Sequence, residues 1–421
     1  MKILVIGSGG REHAICWKLK QSPHTTELFC APGNAGINEI ANCLPADPND
    51  AGSLANLAES INAGLTIVGP EAPLVAGIHE AFKARGLRLV GPSADAARLE
   101  GSKIFAKQFM ARHGIPTAPF TACHSPESAR AARQFEYRFP VVIKADGLAA
   151  GKGVRIAQDQ GDFDDAIKDL MVDRIFGEAG ARVVLEECLV GREASVMVFT
   201  DGRDYKVIAP AQDYKRAGDQ DEGPNTGGMG TFSTPGLIDE QTMARITAAI
   251  IEPALAGLRA EGYSFTGFLY AGLMLTSDGP KVIEFNARLG DPETQPILMR
   301  LTSDLVEICE AIVDGRIGST AVRWSDESAV CIVAASGGYP NAFEKGKPIS
   351  GLDDANATDG VVVFHAGTAR DANQQLVSAG GRVLGITARA ATLEAARARA
   401  YEAIGKIHFE RMHYRKDIAQ R

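Results

Sequence analysis

No two cysteines of this chain stand in Cys-x-x-Cys spacing: the seven (Cys16, Cys30, Cys43, Cys123, Cys188, Cys309, Cys331) are scattered and odd in number. That pattern signals neither a zinc site nor a disulfide framework, and it predicts reduced thiols. No window approaches the ~18 consecutive apolar residues of a membrane span. The opening Met1-Lys-Ile-Leu-Val-Ile-Gly7 is too short an apolar run for a signal peptide and reads as a buried strand. Positive charge is also in deficit: 44 Lys and Arg against 52 Asp and Glu give a net charge of −8, whereas nucleic-acid-binding domains usually carry a basic face. The expectation is a cytoplasmic protein that binds neither membrane nor nucleic acid, with room for a local basic pocket. Internal repeats and low-complexity tracts are absent, and no serine or cysteine nucleophile is signalled.

What is present is alternation. Strand-like runs at 2–6, 65–68 and 87–90 alternate with helical stretches at 11–20, 52–62, 74–85 and 94–112, the βαβ pattern of a parallel sheet covered by helices. Ile115-Pro-Thr-Ala-Pro119 breaks it. From Val141 to Glu187 the order reads strand, glycine loop, strand, helix, strand. Residues 194–200 and 205–209 read as a hairpin around Asp201-Gly202. The glycine-rich stretch 213–236 reads as irregular, and loops of that length are usually functional or disordered. A helix at 238–260 and strands at 267–275 and 281–286 follow. After about residue 325 a β-rich segment begins and ends in a helix at 391–406. At 421 residues the chain has room for about three domains of ~150 residues each.

The strand at 281–286 carries the most chemistry. Alternation places Glu284 and Asn286 on one face and predicts Ile283 and Phe285 buried on the other. A carboxylate and an amide oxygen two residues apart form a hard, oxygen-only pair that suits Mg²⁺ with nucleotide phosphates. Arg288 follows, and a guanidinium is a natural fork for carboxylate or phosphate. The turn Gly7-Ser-Gly9-Gly10-Arg11-Glu12-His13 joins a strand to a helix, where free N–H groups favour an anion. It lacks the third glycine of a dinucleotide fingerprint, Glu12 standing there, and the second strand ends in Ala-Pro-Gly-Asn34 without an acid for a ribose. A phosphate or phosphosugar therefore fits better than NAD. Lys144-Ala-Asp-Gly147-Leu-Ala-Ala-Gly151-Lys152-Gly153 is a basic glycine loop between two strands, not a Walker loop, since no helix follows. Such a flap can close over polyphosphate. Glu186-Glu187-Cys188-Leu189 ends a buried strand in two acids and an apolar residue, a pattern compatible with reading an adenine edge.

Lys144 with its glycine flap, the Glu186-Glu187-x-Leu189 hinge and the Glu284-Phe285-Asn286 strand, in that order, resemble the ATP-grasp enzymes. More closely, five further segments resemble the phosphoribosylamine–glycine ligase family of purine synthesis: Gly9-Gly-Arg-Glu-His-Ala14, Ala31-Pro-Gly-Asn-Ala-Gly36, Val68-Gly-Pro-Glu-Ala-Pro73, Gly223-Pro-Asn-Thr-Gly-Gly-Met-Gly230 and Arg288-Leu-Gly-Asp-Pro-Glu-Thr-Gln295. Phe364-His-Ala-Gly-Thr368 extends the likeness towards the end of the chain, so it spans essentially the whole sequence. Two positions depart from the family pattern, Ala287 for an expected cysteine and Leu289 for an expected phenylalanine.

The resemblance implies an α/β and α+β multidomain fold. An N-terminal open parallel sheet would occupy 1–105, a two-module ATP-grasp core 106–325 with its flap module at about 120–192, and a small β-rich C-terminal domain 326–421. It also implies ATP with Mg²⁺, or Mn²⁺ in its place, as cofactors, glycine and 5-phosphoribosylamine as substrates, and a monomer. Adenine would lie against Glu186, Glu187 and Leu189, ribose near Glu193, and phosphates by Lys103, Lys144 and Lys215. The metal would sit on Glu284 and Asn286. Glycine would face Arg288 and Asp213, and the aminosugar Gly9, Gly10, Arg11, Asn34 and Glu71, with Arg288, Lys144 and Lys215 serving the chemistry. The rival readings are another carboxylate–amine ligase or a biotin-dependent carboxylase subunit, a Rossmann dehydrogenase, and a non-catalytic ATP sensor.

Overall fold

The computed structural model describes residues 1–149 and 152–420; Ala150 and Gly151 of the glycine loop lie outside the described residues. Five parallel strands, β1 (Lys2–Gly7), β2 (Glu27–Pro32), β3 (Asn42–Cys43), β4 (Leu65–Val68) and β5 (Leu89–Val90), form the first sheet in the order β3-β2-β1-β4-β5. Ile3, Leu4, Val5 and Ile6 are all fully buried, as a central parallel strand covered on both faces requires. The long apolar runs of the sequence are thus a consequence of helices packing on either side.

The flap module is a separate antiparallel sheet of β6 (Phe120–Cys123), β7 (Val141–Ala145), β8 (Val154–Ala157) and β9 (Val183–Glu187), in the order β6-β9-β7-β8. Its own small core gathers Ile143, Phe163 and Leu185. Strand β6 and the helix Pro126–Glu136 had no counterpart in the sequence reading. The next strands are β10 (Arg192–Thr200), β11 (Tyr205–Val207), β12 (Gln212–Arg216), β13 (Asn225–Ser233), β14 (Gly267–Thr276) and β15 (Gly279–Asn286). Of these, β11-β10-β14-β15 make one antiparallel sheet. The last strands are β16 (Ser328–Ala335), β17 (Val361–His365), β18 (Thr368–Arg370), β19 (Leu376–Ser378) and β20 (Arg382–Ala390).

Residues 213–236, expected to be irregular, are the β12–β13 hairpin, and they join a sheet of order β12-β13-β16-β20-β17. A strand pair from the middle of the chain therefore belongs to the same sheet as the C-terminal strands. Its glycines permit close approach: Gly228 has φ +114° and a Cβ there would lie 2.5 Å from Pro292 Cδ. A side chain at that position would be both strained and obstructed.

Helical segments also break where the sequence reading ran on. The 94–112 stretch is two helices, Ala94–Gly101 and Lys103–Arg112, because Ser102 is extended and caps the second through Phe105 N–H (3.1 Å). The 74–85 stretch is likewise two short helices, Glu71–Val75 and Ile78–Lys83, with Gly77 at φ +88° between them. Within 238–260 a π-turn, Thr247–Ile251, precedes Glu252–Ala260, beside Pro253, which has no N–H for the helical ladder. Among the described residues no helix is long and apolar enough to cross a membrane.

Candidate active site

Strand β15 bends where the site begins. Gly272 pairs with Glu284 and Leu273 with Val282, so Ile283 is an extra residue in the ladder. The strict alternation expected over 281–286 fails there. Val282 and Phe285 are fully buried and Ile283 is half-buried. The carbonyl of Ile283, released from pairing, accepts from Lys144 Nζ at 2.9 Å. Glu284 and Asn286 still share a face, across from Gly272 and Tyr270 on β14.

Lys103 Nζ lies 2.6 Å from Glu284 Oε2, and Lys215, on β12, lies 4.0 Å from Glu284, 3.9 Å from Asp213 and 3.8 Å from Glu193. Burial alone would raise the Glu284 pKa, but Lys103 and Lys215 hold it far below the usual carboxylate range. Burial pushes Asp213 up to about 7, against the pull of Lys215 and with the push of Glu293, Glu193 and Glu284. Lys215 is raised, burial notwithstanding, by the acids around it. Lys144 Nζ also lies 3.0 Å from Glu186 Oε2, and Lys107 Nζ reaches the same oxygen at 2.8 Å. At the end of β9, Glu187 is exposed and Leu189 half-buried.

Arg288 is a node. Its guanidinium meets Glu100 at 2.6 Å, the Leu289 carbonyl at 3.2 Å, Glu71 at 3.4 Å and Asn286 Oδ1 at 3.5 Å. Burial lifts Glu100 to about 7, with Arg288 opposing and Glu71 adding to the rise. Arg11 reaches the Leu289 carbonyl at 3.0 Å, so the N-terminal turn abuts the end of β15. In that turn the carboxylate of Glu12, 2% exposed, accepts from Gly9 N–H at 2.5 Å and from Arg11 Nε at 2.6 Å. Gly7, at φ +126°, leaves the space for it, since a Cβ there would lie 2.6 Å from Glu12 Cγ. An internal acid thus caps the helix start where a dinucleotide fold would place pyrophosphate, a physical ground against the dehydrogenase reading. Gly10 packs on Gln295. The Asn34 side chain is spent on backbone: it donates to the carbonyls of Ser8, His365 and Ala366 and accepts from Gly36 and Ile37 N–H.

The helix Lys103–Arg112 and strands β7, β9, β12 and β15 therefore bring Lys103, Lys144, Glu186, Asp213, Lys215 and Glu284 together, and Arg288 joins them to Glu71. Several partners were missed. Glu100, three residues before Lys103, is one: besides meeting Arg288 it accepts from Ala287 N–H at 2.7 Å. Asp146, inside the glycine loop motif, fixes the start of the Lys103 helix by accepting from Ser102 Oγ (2.7 Å) and Ile104 N–H (2.9 Å). Lys107, one turn after Lys103, sits on the same helix face, which was the available signal. Glu293 accepts from Tyr270 OH (3.0 Å) and Ser195 Oγ (3.2 Å), and Asp291 pairs with Arg382 at 3.3 Å. Lys152 of the flap donates to Pro340 O at 2.8 Å, in the turn that follows β16.

His13 accepts from His365 N–H at 2.8 Å. Burial lowers His13 to about 3 and His365 to about 4, so both are neutral and structural at neutral pH. Cys331 is pushed up to about 12 by burial and Cys188 is raised by the same cause; neither is a poised thiolate.

Sequence models of the phosphoribosylglycinamide synthetase N domain, ATP-grasp (A) domain and C domain match residues 1–100, 101–294 and 329–421. Phosphoribosylamine–glycine ligase of Xanthomonas axonopodis pv. citri is 48% identical over 424 residues, covering 100% of this chain and 98% of that protein. The Vibrio cholerae protein of the same name is 48% identical over 425 residues with the same coverage. The crystal structure of phosphoribosylamine–glycine ligase from Thermotoga maritima superposes with a TM-score of 0.85 at 36% identity, over 99% of this chain and 100% of that one.

Proposed function

Since the chain belongs to the phosphoribosylamine–glycine ligase family, we propose that it joins its substrates through glycyl phosphate, in the pocket lined by Lys103, Lys144, Lys215, Glu284 and Arg288. The enzyme is an ATP-grasp ligase of purine biosynthesis, forming glycinamide ribonucleotide, ADP and phosphate from glycine, 5-phosphoribosylamine and ATP. A carboxylate resists attack by an amine because its leaving group would be oxide. In the proposed route a glycine carboxylate oxygen attacks the γ-phosphorus and ADP departs. The aminosugar nitrogen then attacks the acyl carbonyl, and phosphate leaves with the former carboxylate oxygen.

The observation that carries this reading is the convergence of three lysines and Arg288 on one strand bearing an ionised carboxylate and an amide oxygen. Arrays of this kind catalyse phosphoryl transfer by position and charge, without a covalent side chain. Lys103, Lys144 and Lys215 would neutralise the phosphates. The carboxylate of glycine would meet Arg288, and its ammonium Asp213. Adenine would lie by Glu186, Glu187 and Leu189, and ribose by Glu193. Gly9, Gly10, Arg11 and Glu71 would border the aminosugar, with Asn34 bracing the turn.

The donor set suits Mg²⁺. Both oxygens are hard, both face one way, and cationic groups already stand at them, Lys103 at 2.6 Å from Glu284 and Arg288 at 3.5 Å from Asn286. Glu284 and Asn286 would hold the ion, which when bound offsets charge on the β- and γ-phosphates. Mn²⁺ shares these preferences and stays the alternative. A cytoplasmic monomer with small-molecule partners completes the proposal.

The test is ADP release with ATP, Mg²⁺ and glycine, with and without freshly generated phosphoribosylamine. Turnover that needs both substrates supports the ligase. Glycine labelled with oxygen-18 in its carboxylate should pass one labelled oxygen to phosphate; phosphate free of label would overturn the acyl-phosphate route.

A further inference from the structure

Two ammonium groups share a single buried carboxylate oxygen beside the site. Lys107 and Lys144 reach Glu186 Oε2 at 2.8 and 3.0 Å, while the buried Glu186 Oε1 has no hydrogen-bond partner among the described residues. The two lysines are not equivalent. Lys144 has an alternative acceptor, the bulged Ile283 carbonyl at 2.9 Å, in the strand that bears Glu284. Lys107 is 2% exposed and anchored: it donates to Thr117 Oγ1 at 2.7 Å, and that hydroxyl donates to the Val282 carbonyl at 2.6 Å.

If Lys144 turned to a phosphate with no other cation present, Glu186 would be left as an unpaired buried charge. Removing one partner of a buried pair costs several kcal/mol. A second, immobile ammonium removes that obstacle. We propose that Lys107 is a positioning residue: it is the fixed counter-charge of Glu186 that lets Lys144 exchange its carboxylate for a nucleotide phosphate. The inference rests on the reading of Lys144 as a phosphate contact. Lys107 itself touches no reacting atom.

Three charged groups face the Lys107 ammonium: Glu186 from β9, Lys144 from β7 and Lys103 from its own helix. Burial lowers its pKa to about 8, Glu186 opposing. The exchange is therefore open below that pH and closes above it, where neutral Lys107 leaves Lys144 held by Glu186.

The experiment compares KM for ATP and for glycine in the full-length enzyme and in Lys107→Met, Lys144→Met, Glu186→Gln and the Lys107→Met/Glu186→Gln pair. Lys107→Met should raise KM for ATP roughly tenfold or more, as befits a stranded buried charge, and leave KM for glycine unchanged. It should also abolish the rise in ATP KM that the parent enzyme shows above about pH 8. Adding Glu186→Gln should bring the ATP KM back to that of Glu186→Gln alone, since no carboxylate then competes for Lys144. A merely structural lysine would lower the melting temperature and the folded fraction without this split. An unchanged ATP KM in Lys107→Met, with a raised one in Lys144→Met, overturns the proposal alone. An unchanged ATP KM in Lys144→Met overturns the phosphate reading and the proposal with it. Should Lys107→Met not fold, the double variant and Glu186→Gln must match in ATP KM; a further loss in the double variant refutes the exchange.

Discussion

Replacing Arg288 by lysine keeps the charge and removes the fork. Of the four guanidinium contacts, to Glu100 at 2.6 Å, Leu289 O at 3.2 Å, Glu71 at 3.4 Å and Asn286 at 3.5 Å, a compact ammonium retains about one. The Glu100 carboxyl, already lifted to about 7 by burial with Arg288 pulling down, loses part of that counterweight. A bidentate hold on a glycine carboxylate becomes a single contact. One charge-assisted hydrogen bond contributes about 1.5–3 kcal/mol, and each 1.4 kcal/mol is about tenfold in an equilibrium constant. The expected result is KM for glycine raised roughly ten- to 150-fold, with KM for ATP within about threefold of its parent value. The assay is ADP release with each substrate varied in turn, phosphoribosylamine being generated in place. Parallel increases for ATP and glycine would refute the assignment and give Arg288 to phosphate instead.

Glu284→Gln should lower turnover by roughly a hundredfold or more while the far-ultraviolet circular dichroism stays unchanged, and near-normal turnover would sink the metal-strand reading. Asp213, raised from 3.8 to about 7, holds its proton in the folded protein where the unfolded chain has lost it. Its contribution to stability is therefore full below pH 3.8 and is lost as pH rises towards about 7. Asp213→Asn should flatten that decline in melting temperature, and its KM for glycine should no longer improve as the carboxyl ionises near neutrality. Arg415, with a fully buried side chain, ties Asp221 and Asp417 at 2.7 and 2.6 Å. Arg415→Met should loosen the 217–224 turn, by less than the ~3–5 kcal/mol of a fully buried pair because Asp221 is exposed, seen as faster limited proteolysis there and weaker ATP use through displaced Lys215; unchanged cleavage would refute the link.

The parallel sheet was legible because its strands are buried on both faces and read as unbroken apolar runs. Glu284 and Asn286 were legible because period-two spacing survives beyond the bulge. Ile283 was not, since a bulge depends on how two strands align and leaves no mark in the residues themselves. The β12–β13 hairpin was hidden because its glycines, usual signs of a loop, here make room for Pro292 and for Ile418 from the C-terminal tail. Glu12 showed only as a missing glycine; that its carboxylate caps its own helix required the positions of Gly7 and Gly69. Lys107 and Glu100 gave a weak signal, single charges within helical stretches, because their partners lie tens of residues away or more.

The sheet shared by β12, β13, β16, β20 and β17 bears on how the enzyme is born. On a ribosome the N-terminal sheet and flap module have their strands in hand early, but β13 finds its neighbour β16 only about a hundred residues later. Until then the segment carrying Asp213 and Lys215 has an unpaired edge, an invitation to chaperones or to aggregation. Nascent chains lacking β16 hold β13 without the neighbour it pairs with in the folded protein. The order of synthesis therefore leaves the β12–β13 hairpin, with Asp213 and Lys215 on its first strand, waiting for a sheet partner that is made about a hundred residues later.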